Sequence, residues 1–299
     1  MKNIAVVVTY NRCGLLQKNI MALKSQTHPL DTILIINNGS TDGTKEWLDT
    51  QEGITVITQK NIGGSGGFWR GIKEAYLMGA DYIWCMDDDV HPFADCLEKL
   101  LEVMPDEGGI VAPKRLWDGK SVVCDGECLH FNFSNPLKAL KNDSTLESIN
   151  KAPEKLEVEA ISFEGPLISR NVVEQIGFPE KDLFIFWDDT EYSYRAFRNG
   201  FKVLYASKAL LYKENLMSKG IKMESRSWKY PYMIRNEVFF IQKYSPFAFG
   251  KIKELMLYLK YCMGIFKHLI LFDKKYRFAD FRIMNKAFWG GVRGKLGKI

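Results

Sequence analysis

Three consecutive carboxylates, Asp87, Asp88 and Asp89, directly follow the apolar run 82–86. A short apolar run bounded by polar residues is typical of a buried strand, so the triplet is expected where that strand ends. Three adjacent anionic side chains repel one another unless a cation offsets their charge, and Mg²⁺ and Mn²⁺ prefer such oxygen ligands. The triplet therefore predicts a metal-diphosphate site at the edge of an α/β sheet. A solvated acidic turn is the simpler alternative for a triplet taken alone.

A second group of carboxylates, Asp188, Asp189 and Glu191, follows Trp187 at the start of a predicted helix. The dipole of a helix favours ionised carboxylates at its N-terminus. One ionised carboxylate next to an acceptor hydroxyl is what a general base requires. The alternative is a structural role, in which Asp188 or Asp189 caps the helix.

A glycine-rich run covers residues 61–67, and Arg70 lies at the start of the helix predicted to follow it. Glycines let a backbone approach a phosphate or sugar closely, and a helix N-terminus favours an anion. The run matches neither a P-loop nor the GxGxxG spacing. Since the helix dipole disfavours a cation at that end, Arg70 indicates a nearby anion. A flexible connector is the alternative for the run by itself.

Strand-like and helical segments alternate over the first 115 residues. The strand-like runs are 4–8, 32–36, 54–57, 82–86 and 110–112, and the helical segments are 15–23, 44–49, 68–78 and 94–104. This alternation predicts βαβ units and a mostly parallel sheet. Ligands bind at the carboxyl ends of such strands, where the polar clusters 9–12, 37–42 and 87–89 fall. We expect these clusters to converge on one edge of the sheet.

The composition is that of a globular protein, with 299 residues, 46% of them hydrophobic. The six cysteines form no CxxC pair, so neither a disulfide framework nor a zinc ribbon is predicted. The apolar run 4–8 is too short for a secretory signal, and no window of 18 apolar residues free of charge predicts a membrane span. A cytoplasmic setting is therefore expected.

Charge is concentrated at the C-terminal end of the chain. Residues 250–299 hold 12 Lys and Arg against 3 Asp and Glu, a net charge of +9, and the other 249 residues hold 29 and 33, a net charge of −4. Together with Lys274, Lys275, Arg277 and Arg282, the apolar segment 255–272 predicts an interfacial helix with a basic patch at a membrane surface. An oligomer interface, or a helix packed on the rest of the protein, is the alternative. No nucleic-acid recognition motif accompanies the charge, so no nucleic acid partner is expected.

The segment 6–12 (VVVTYNR), the loop 37–44 (NNGSTDGT) and the acidic triplet together resemble family 2 inverting glycosyltransferases with the GT-A fold. The segments 59–67, 86–89 and 184–189 look more specifically like the bacterial galactofuranosyltransferases, with rhamnosyltransferases next. The resemblance covers about residues 4–215. It implies an α/β GT-A catalytic domain over 1–225, with a mostly parallel Rossmann-like sheet flanked by helices. A helical, basic membrane- or oligomer-interface region over 226–299 would follow.

Carried over position by position, the resemblance implies a role for each site residue. Asp87 and Asp89 would bind Mn²⁺ or Mg²⁺, and Asp189 would be the catalytic base. The acceptor would be held by Trp187, Asp188 and Glu191. The nucleotide-sugar donor would be held by Thr9, Asn11, Arg12, Asn38, Asn61, Gly63, Gly64, Gly66, Gly67, Arg70 and Asp88.

One position departs from the family pattern. Lys213 stands where the family usually has a histidine that ligates the metal, and a protonated lysine cannot ligate a cation. Either Lys213 itself neutralises the diphosphate, or Glu214 or another group completes the metal shell.

The resemblance implies transfer of a sugar, galactofuranose from UDP-galactofuranose, to a lipid-linked or oligosaccharide acceptor in bacterial cell-surface polysaccharide synthesis. The protein would then be peripheral on the inner face of the cell membrane. A rhamnosyltransferase or another hexosyltransferase on the same fold is the alternative within enzymes. A non-catalytic nucleotide-sugar-binding scaffold, or a nucleotidyltransferase that releases pyrophosphate, is the alternative outside the class.

Overall fold

A computed structural model describes residues 1–117, 121–124, 126–141, 145–152, 154–214, 228–270 and 278–299. The predicted domain boundary at 225/226 lies outside these ranges, as do Lys274, Lys275 and Arg277 and the end of the predicted interfacial segment, 271–272.

Four parallel strands form one half of a ten-stranded sheet, in the order β3-β2-β1-β4. They are β1 (Asn3–Thr9), β2 (Thr32–Asn37), β3 (Thr55–Thr58) and β4 (Tyr82–Asp87). In the register of this half, Val8 is opposite both Ile36 and Asp87. Parallel strands in register end at the same edge, so the polar clusters that follow β1, β2 and β4 emerge together, as predicted.

The other half of the sheet is mixed. It contains β5 (Val90–Pro92), β6 (Gly109–Trp117), β7 (Ser121–Val122), β8 (Lys155–Glu157), β9 (Leu167–Ser169) and β10 (Lys202–Lys213). Strand β9 lies antiparallel between β4 and β6. Strand β10 is the longest of these strands and has a register shift between Ala206 and Leu210 against β6. Its last residues pair with β5, which brings Lys213 opposite Val90, the residue after Asp89.

Helices cover both faces of the sheet. They are α1 (Cys13–Lys24), α2 (Thr44–Leu48), α3 (Gly63–Leu77), α4 (Cys96–Glu102), α5 (Thr145–Lys151), α6 (Arg170–Ile176) and α7 (Asp188–Arg198). Successive residues of a strand point to opposite faces. Val6 of β1 therefore packs in the core that contains Ile72 of α3, and Val7 packs in the opposite core with Leu16 of α1.

Helix α3 begins at Gly63, not after the glycine run as predicted from the sequence. The glycines form the first turns of the helix because they let it lie directly on β1. A Cβ at Gly67 would lie 2.5 Å from Cγ1 of Val8, and one at Gly71 would lie 2.2 Å from Cγ1 of Val6. The placement of Arg70 at a helix start is therefore wrong: Arg70 lies inside α3, where it pairs with Glu74 at 2.9 Å.

The C-terminal region is helical, as predicted, and its described residues form α8 (Tyr230–Tyr244), α9 (Phe247–Ile270) and α10 (Phe278–Val292). One hydrophobic cluster joins them to Tyr194 of α7 and to Phe131 and Leu140. This helical region is thus packed on the sheet region through a continuous core.

Helix α9 is apolar on two sides. Leu257, Tyr261 and Ile265 are buried in the cluster, whereas a second row, three to four residues apart, is exposed: Ile252, Leu255, Leu259, Met263 and Phe266. Within the described residues, no helix combines the length and the hydropathy needed to cross a bilayer.

Candidate active site

A cleft of about 420 Å³ opens at the carboxyl edge of the parallel strands. Its walls come from the residues after β1 and β4, the first turn of α3, the segment 184–189 and the pair Trp228–Lys229. The cleft therefore lies at the edge of the sheet that the sequence predicted for ligand binding. Ten of the predicted donor, metal and base residues line it: Thr9, Arg12, Asn38, Asn61, Gly63, Gly64, Asp87, Asp88, Asp89 and Asp189.

Arg12 and Thr9 hold the acidic triplet. The Arg12 guanidinium donates through Nη1 to Oδ1 of Asp88 and to Oδ2 of Asp89, both at 3.1 Å. The Thr9 hydroxyl donates to the other oxygen of Asp88 at 2.7 Å. Oδ1 of Asp89 is buried and has no hydrogen-bond partner in the described part of the chain. Arg12 thus offsets only part of the charge of the three carboxylates, of which Asp88 and Asp89 are buried.

Burial is the main cause of the high proton affinity of this triplet. It raises the pKa of Asp88 to about 6 against the opposing charge of Arg12, and it raises the pKa of Asp87 well above its usual value. The pKa of Asp89 is also raised, first by burial and then by the charge of Glu164. A bound cation would lower the pKa of each of these carboxyl groups, because it stabilises the ionised form.

The carboxylates fit a divalent ion in part. Asp87 and Asp89 supply the oxygen atoms that Mg²⁺ and Mn²⁺ prefer, and Asp89 has an oxygen to spare. Over the described ranges, no group of three or more His, Cys, Asp or Glu side chains forms a ready metal site. Because Mg²⁺ usually takes one or two carboxylates plus substrate phosphates, two protein ligands are sufficient.

Lys213 lies beside this centre as one member of an ion-pair network. Its Nζ donates to Oε1 of Glu164 at 2.6 Å, and Glu164 also pairs with buried Arg115. Arg115 in turn binds Glu127 at 2.6 Å. Glu164 lines the cleft, whereas Glu214, the sequence-based candidate for the metal shell, pairs with Lys18 at 2.8 Å. The carboxylate in reach of the acidic triplet is therefore Glu164, which the sequence analysis did not single out.

Asp188 and Asp189 line another part of the cleft as the first residues of α7. The N-cap position itself is taken by Trp187, so the capping alternative is not what the structure shows. Burial, with the charge of Asp189, raises the pKa of Asp188 to about 7, and burial also raises the pKa of Asp189. Oδ1 of Asp189 accepts the backbone N–H of Thr190 at 2.6 Å, which orients the carboxylate. A carboxylate with a pKa raised toward neutrality can take and release a proton at physiological pH.

The chain before α7 runs in an unusual conformation. Phe184, Phe186 and Trp187 have φ of 69°, 67° and 70°, values that non-glycine residues rarely adopt. The carbonyl of Phe184 accepts the backbone N–H of Ser65 at 3.2 Å. A Cβ at Gly63 would lie 2.0 Å from that carbonyl oxygen, so this position needs glycine for contact with the segment 184–187.

Asn38 and Asn61 hold the start of α3 at the cleft. Nδ2 of Asn38 donates to the carbonyl of Gly63, and Oδ1 of Asn61 accepts the backbone N–H of Gly63, both at 2.9 Å. Gly63 and Gly64 both line the cleft.

Several predicted site residues have other surroundings. Asn11 accepts the backbone N–H of Thr41 at 2.7 Å, and Trp187 packs against Phe240 with 5.1 Å between ring centroids. Glu191 is fully buried and paired with Arg195 and Lys243. Among the described residues, some predicted site residues are not part of the cleft lining: Asn11, Gly66, Gly67, Arg70, Trp187, Glu191 and Lys213.

Trp228 and Lys229 are cleft residues that sequence reasoning missed. Trp228 is 61% exposed and meets Phe184 edge-on, with 6.4 Å between ring centroids. Burial and the charge of Arg12 lower the pKa of Lys229, while Asp87 and Asp89 oppose that shift. An exposed tryptophan next to a lysine just before a helix was the available signal.

Comparison with known proteins gives a consistent result. The model of Glycosyl transferase family 2 matches residues 4–163. Galactofuranosyltransferase GlfT1 of Mycolicibacterium smegmatis is 30% identical over 205 residues, which are 66% of this chain and 65% of that protein. The match thus spans slightly less than two thirds of that relative.

Two solved structures share the fold. GalNAc-T7 with UDP, GalNAc and Mn²⁺ superposes with a TM-score of 0.60 at 15% identity, over 81% of this chain and 48% of that one. Staphylococcus aureus TarS 1–349 superposes with a TM-score of 0.58 at 14% identity, over 98% and 81%. The fold is the GT-A fold that the sequence resemblance implied.

Proposed function

We propose, from the premise that this chain belongs to Glycosyl transferase family 2, that it is an inverting glycosyltransferase. The observation that carries the proposal is one cleft that holds both the Arg12-bound acidic triplet and the carboxylates Asp188 and Asp189. The first group suits a nucleoside diphosphate with its metal ion, and the second suits a base for an acceptor hydroxyl.

The donor side rests on the ends of β1, β2 and β4. Thr9, Arg12 and Asn38 would hold the nucleotide, with Asp88 kept in place by Thr9 and Arg12. Asp87 and Asp89 would hold Mn²⁺ or Mg²⁺, which when bound offsets the charge that develops on the leaving diphosphate. Lys229 lies at the same cleft and adds a further cation for the phosphates.

The acceptor side rests on the segment 184–189. The acceptor oxygen attacks the anomeric carbon while the bond from that carbon to the diphosphate oxygen breaks, which inverts the configuration. Asp189 takes the proton of the attacking hydroxyl. Its pKa, raised by burial, suits that transfer, and its hydrogen bond to the N–H of Thr190 fixes its orientation.

For the substrates, the proposal is galactofuranose from UDP-galactofuranose, transferred to a lipid-linked saccharide in bacterial cell-surface polysaccharide synthesis. The similarity to galactofuranosyltransferase GlfT1 supports this choice. A few contacts of about 1–3 kcal/mol each decide which sugar a pocket accepts. A rhamnosyl- or other hexosyltransferase on the same fold is therefore the second candidate.

A non-catalytic scaffold is the candidate from another class. The observation that favours it is Lys213, an ammonium paired with Glu164 where the family usually has a metal-ligating histidine. The acidic triplet and the pair Asp188–Asp189 favour an enzyme instead.

A donor screen tests the proposal. The protein would be incubated with Mn²⁺ or Mg²⁺ and a lipid-linked saccharide acceptor. The donors would be UDP-galactofuranose, dTDP-rhamnose, UDP-galactose, UDP-glucose and UDP-N-acetylglucosamine. Release of UDP from UDP-galactofuranose alone, stimulated by the metal, is the expected result. Release of dTDP would support the rhamnosyltransferase, and binding without turnover of any donor would support the scaffold.

For the location, we propose that the protein is cytoplasmic and binds the inner face of the cell membrane through residues 226–299. The exposed apolar row on α9 and the net charge of +9 over residues 250–299 support it. An interfacial helix with flanking cations binds anionic lipid surfaces in two ways: its apolar face is buried in the lipid, and its cations are attracted to the anionic headgroups. An interface between copies of this chain is the competing use of the same row.

A further inference from the structure

The side chain of Asn236 in α8 is fully buried, and its amide is directed at three backbone carbonyls of one segment. Nδ2 lies 3.0 Å from the carbonyl oxygen of Leu183 and 2.9 Å from those of Ile185 and Phe186. These carbonyls precede the carboxylates Asp188 and Asp189. The two N–H donors of a single side chain are thus shared among three carbonyls of the segment that leads into α7.

Arg235 supports the same segment from the neighbouring position. Its side chain is 2% exposed, and Nη2 donates to the carbonyl of Leu183 at 2.8 Å. Nε donates to Oδ1 of Asn236 at 2.9 Å, which fixes the orientation of the Asn236 amide. Nη1 donates to the carbonyl of Gly297. Tyr232 of the same helix stacks on Phe184 with 4.9 Å between ring centroids.

The segment needs such support because of its backbone. Phe184, Phe186 and Trp187 have positive φ, which persists in non-glycine residues only when the surroundings over-determine it. Phe184, Ile185 and Phe186 also line the cleft beside Asp188 and Asp189. The conformation that α8 enforces therefore decides where the acceptor wall and the two carboxylates lie.

We propose that Asn236, oriented by Arg235, is a positioning residue for the acceptor side of the reaction: it holds the segment 183–187 so that Asp189 meets the acceptor hydroxyl. The inference rests on the proposed function. If Asn236 has this role, helix α8 contributes to the geometry of the transferase site in addition to packing against the sheet region.

A positioning role of Asn236 predicts a different result from a role in overall stability, because the acceptor side and the nucleotide side are held by different contacts. The nucleotide would be held by Thr9, Arg12 and Asn38, which lie at the ends of β1 and β2, and the contacts of Thr9 and Arg12 run to Asp88 and Asp89. The segment 183–187 meets the donor side at the first turn of α3, where the carbonyl of Phe184 accepts the N–H of Ser65. Loss of the Asn236 amide should therefore disturb the acceptor side most and leave nucleotide binding nearly unchanged, because the contacts of Thr9 and Arg12 with Asp88 and Asp89 do not involve the segment 183–187. A shift of a reacting group by about 1 Å costs on the order of a hundredfold in rate.

The test uses the full chain with Asn236→Asp, which keeps the shape of the side chain and removes its N–H donors. Asn285→Ala is the matched control, because Asn285 also donates to a backbone carbonyl in the helical region, that of Phe281. Three quantities would be measured: amide hydrogen exchange over 182–189, the dissociation constant of UDP with Mg²⁺, and kcat and acceptor KM with the donor that the screen identifies.

For Asn236→Asp we expect faster exchange over 182–189 and a loss of about a hundredfold in kcat/KM for the acceptor. The dissociation constant of UDP should change by less than about twofold, because the donor-side contacts remain. Asn285→Ala should leave exchange over 182–189 at the wild-type rate. Wild-type exchange and wild-type kcat/KM in Asn236→Asp would overturn the proposal, and so would weakening of UDP binding in parallel with the loss of rate.

A second variant covers the case in which Asn236→Asp does not fold. Tyr232→Leu removes the ring stacked on Phe184 and leaves the Asn236 amide in place. It should increase exchange over 182–189 and raise the acceptor KM, with UDP binding unchanged, and the wild-type pattern in this variant would contradict the proposal. Absence of turnover by the wild type with every donor would refute the proposed function, whereas the exchange measurement would still decide whether α8 holds the segment.

Discussion

At the scale of single residues, Asp189 is the group on which the proposed chemistry depends. Asp189→Asn keeps the size of the side chain and its contact with the N–H of Thr190 but cannot take a proton. We expect transfer to fall by about 10²- to 10⁴-fold, as is typical for loss of a general base. Binding of UDP, measured by titration calorimetry, should remain near the wild-type value. Full activity of the variant would exclude Asp189 as the base.

Asp89 tests the metal side. Asp89→Ala removes the carboxylate that carries an unsatisfied buried oxygen and that binds Arg12. We expect the affinity for Mn²⁺ and the affinity for UDP to fall together, because metal and diphosphate share this site. Calorimetric titration of each, alone and in combination, measures the coupling. Unchanged affinity for Mn²⁺ would show that the ion binds elsewhere or is not bound.

The pKa of Asp188 gives a prediction for the pH dependence of stability. Its value of about 7 in the folded protein exceeds the ordinary value of 3.8, so the folded state binds the proton more tightly than the unfolded state. The stabilising contribution of the protonated group is therefore complete below about pH 4 and is lost as the pH rises to 7 and above. In metal-free protein, Asp188→Asn should raise Tm at pH 8 and leave it nearly unchanged at pH 4.

Thermal melts of wild type and variant across this pH range would measure the effect. Asp106→Asn, at an exposed aspartate, is the control and should change Tm little at either pH. A rise in Tm that is equal at pH 4 and pH 8 would exclude the titration of the Asp188–Asp189 pair as its cause.

At the scale of elements, the glycines of α3 allow this helix to lie in close contact with β1, beside the cleft. Gly71→Ala would place a methyl group 2.2 Å from Cγ1 of Val6, so either the helix or the strand must shift. Overpacking of this kind costs about 1–3 kcal/mol in the free energy of unfolding. Gly64 lies in the same helix with nothing within 4 Å of a built Cβ, and Gly64→Ala should instead be neutral or stabilising. Urea denaturation of the two variants measures the difference, and equal effects would contradict the packing described for α3.

At the scale of the whole molecule, the exposed apolar row of α9 is a candidate binding surface, because its side chains are exposed within the part of the chain that the structure describes. Leu259→Glu with Met263→Glu places two charges in the centre of this row. We expect co-sedimentation with vesicles that contain phosphatidylglycerol to fall at least about tenfold, because the apolar contribution and the electrostatic contribution are both reduced. Met21→Glu, at an exposed methionine of α1, is the control and should leave vesicle binding unchanged.

Light scattering distinguishes the two uses of this surface. If the row binds a second copy of the chain, wild type should have the mass of a dimer and the double variant that of a monomer, with equal vesicle binding. That pattern would exclude the membrane proposal.

The sequence by itself determined the parallel half of the sheet and the edge at which the cleft lies. Apolar runs such as 4–8 and 82–86 specify buried strands through local composition, and the polar residues after them must then emerge at one edge. This reasoning located Thr9, Arg12, Asn38 and Asp87–Asp89 in the cleft. It needed only the order of elements along the chain. The acidic residues themselves predicted a metal-diphosphate site, and the family resemblance added the role of each residue.

Only the tertiary structure decided how distant segments meet. Gly63 is a glycine because the carbonyl of Phe184 lies against it, and Asn236 is buried because it binds the carbonyls before α7. Glu164 enters the site because Lys213 and Arg115 hold it there. Each of these contacts joins residues far apart in sequence, where periodicity and local propensity carry no information. Tertiary packing determines where these groups lie. It is also the reason that α3 begins at Gly63 and that Glu191 is buried and paired with Arg195 and Lys243.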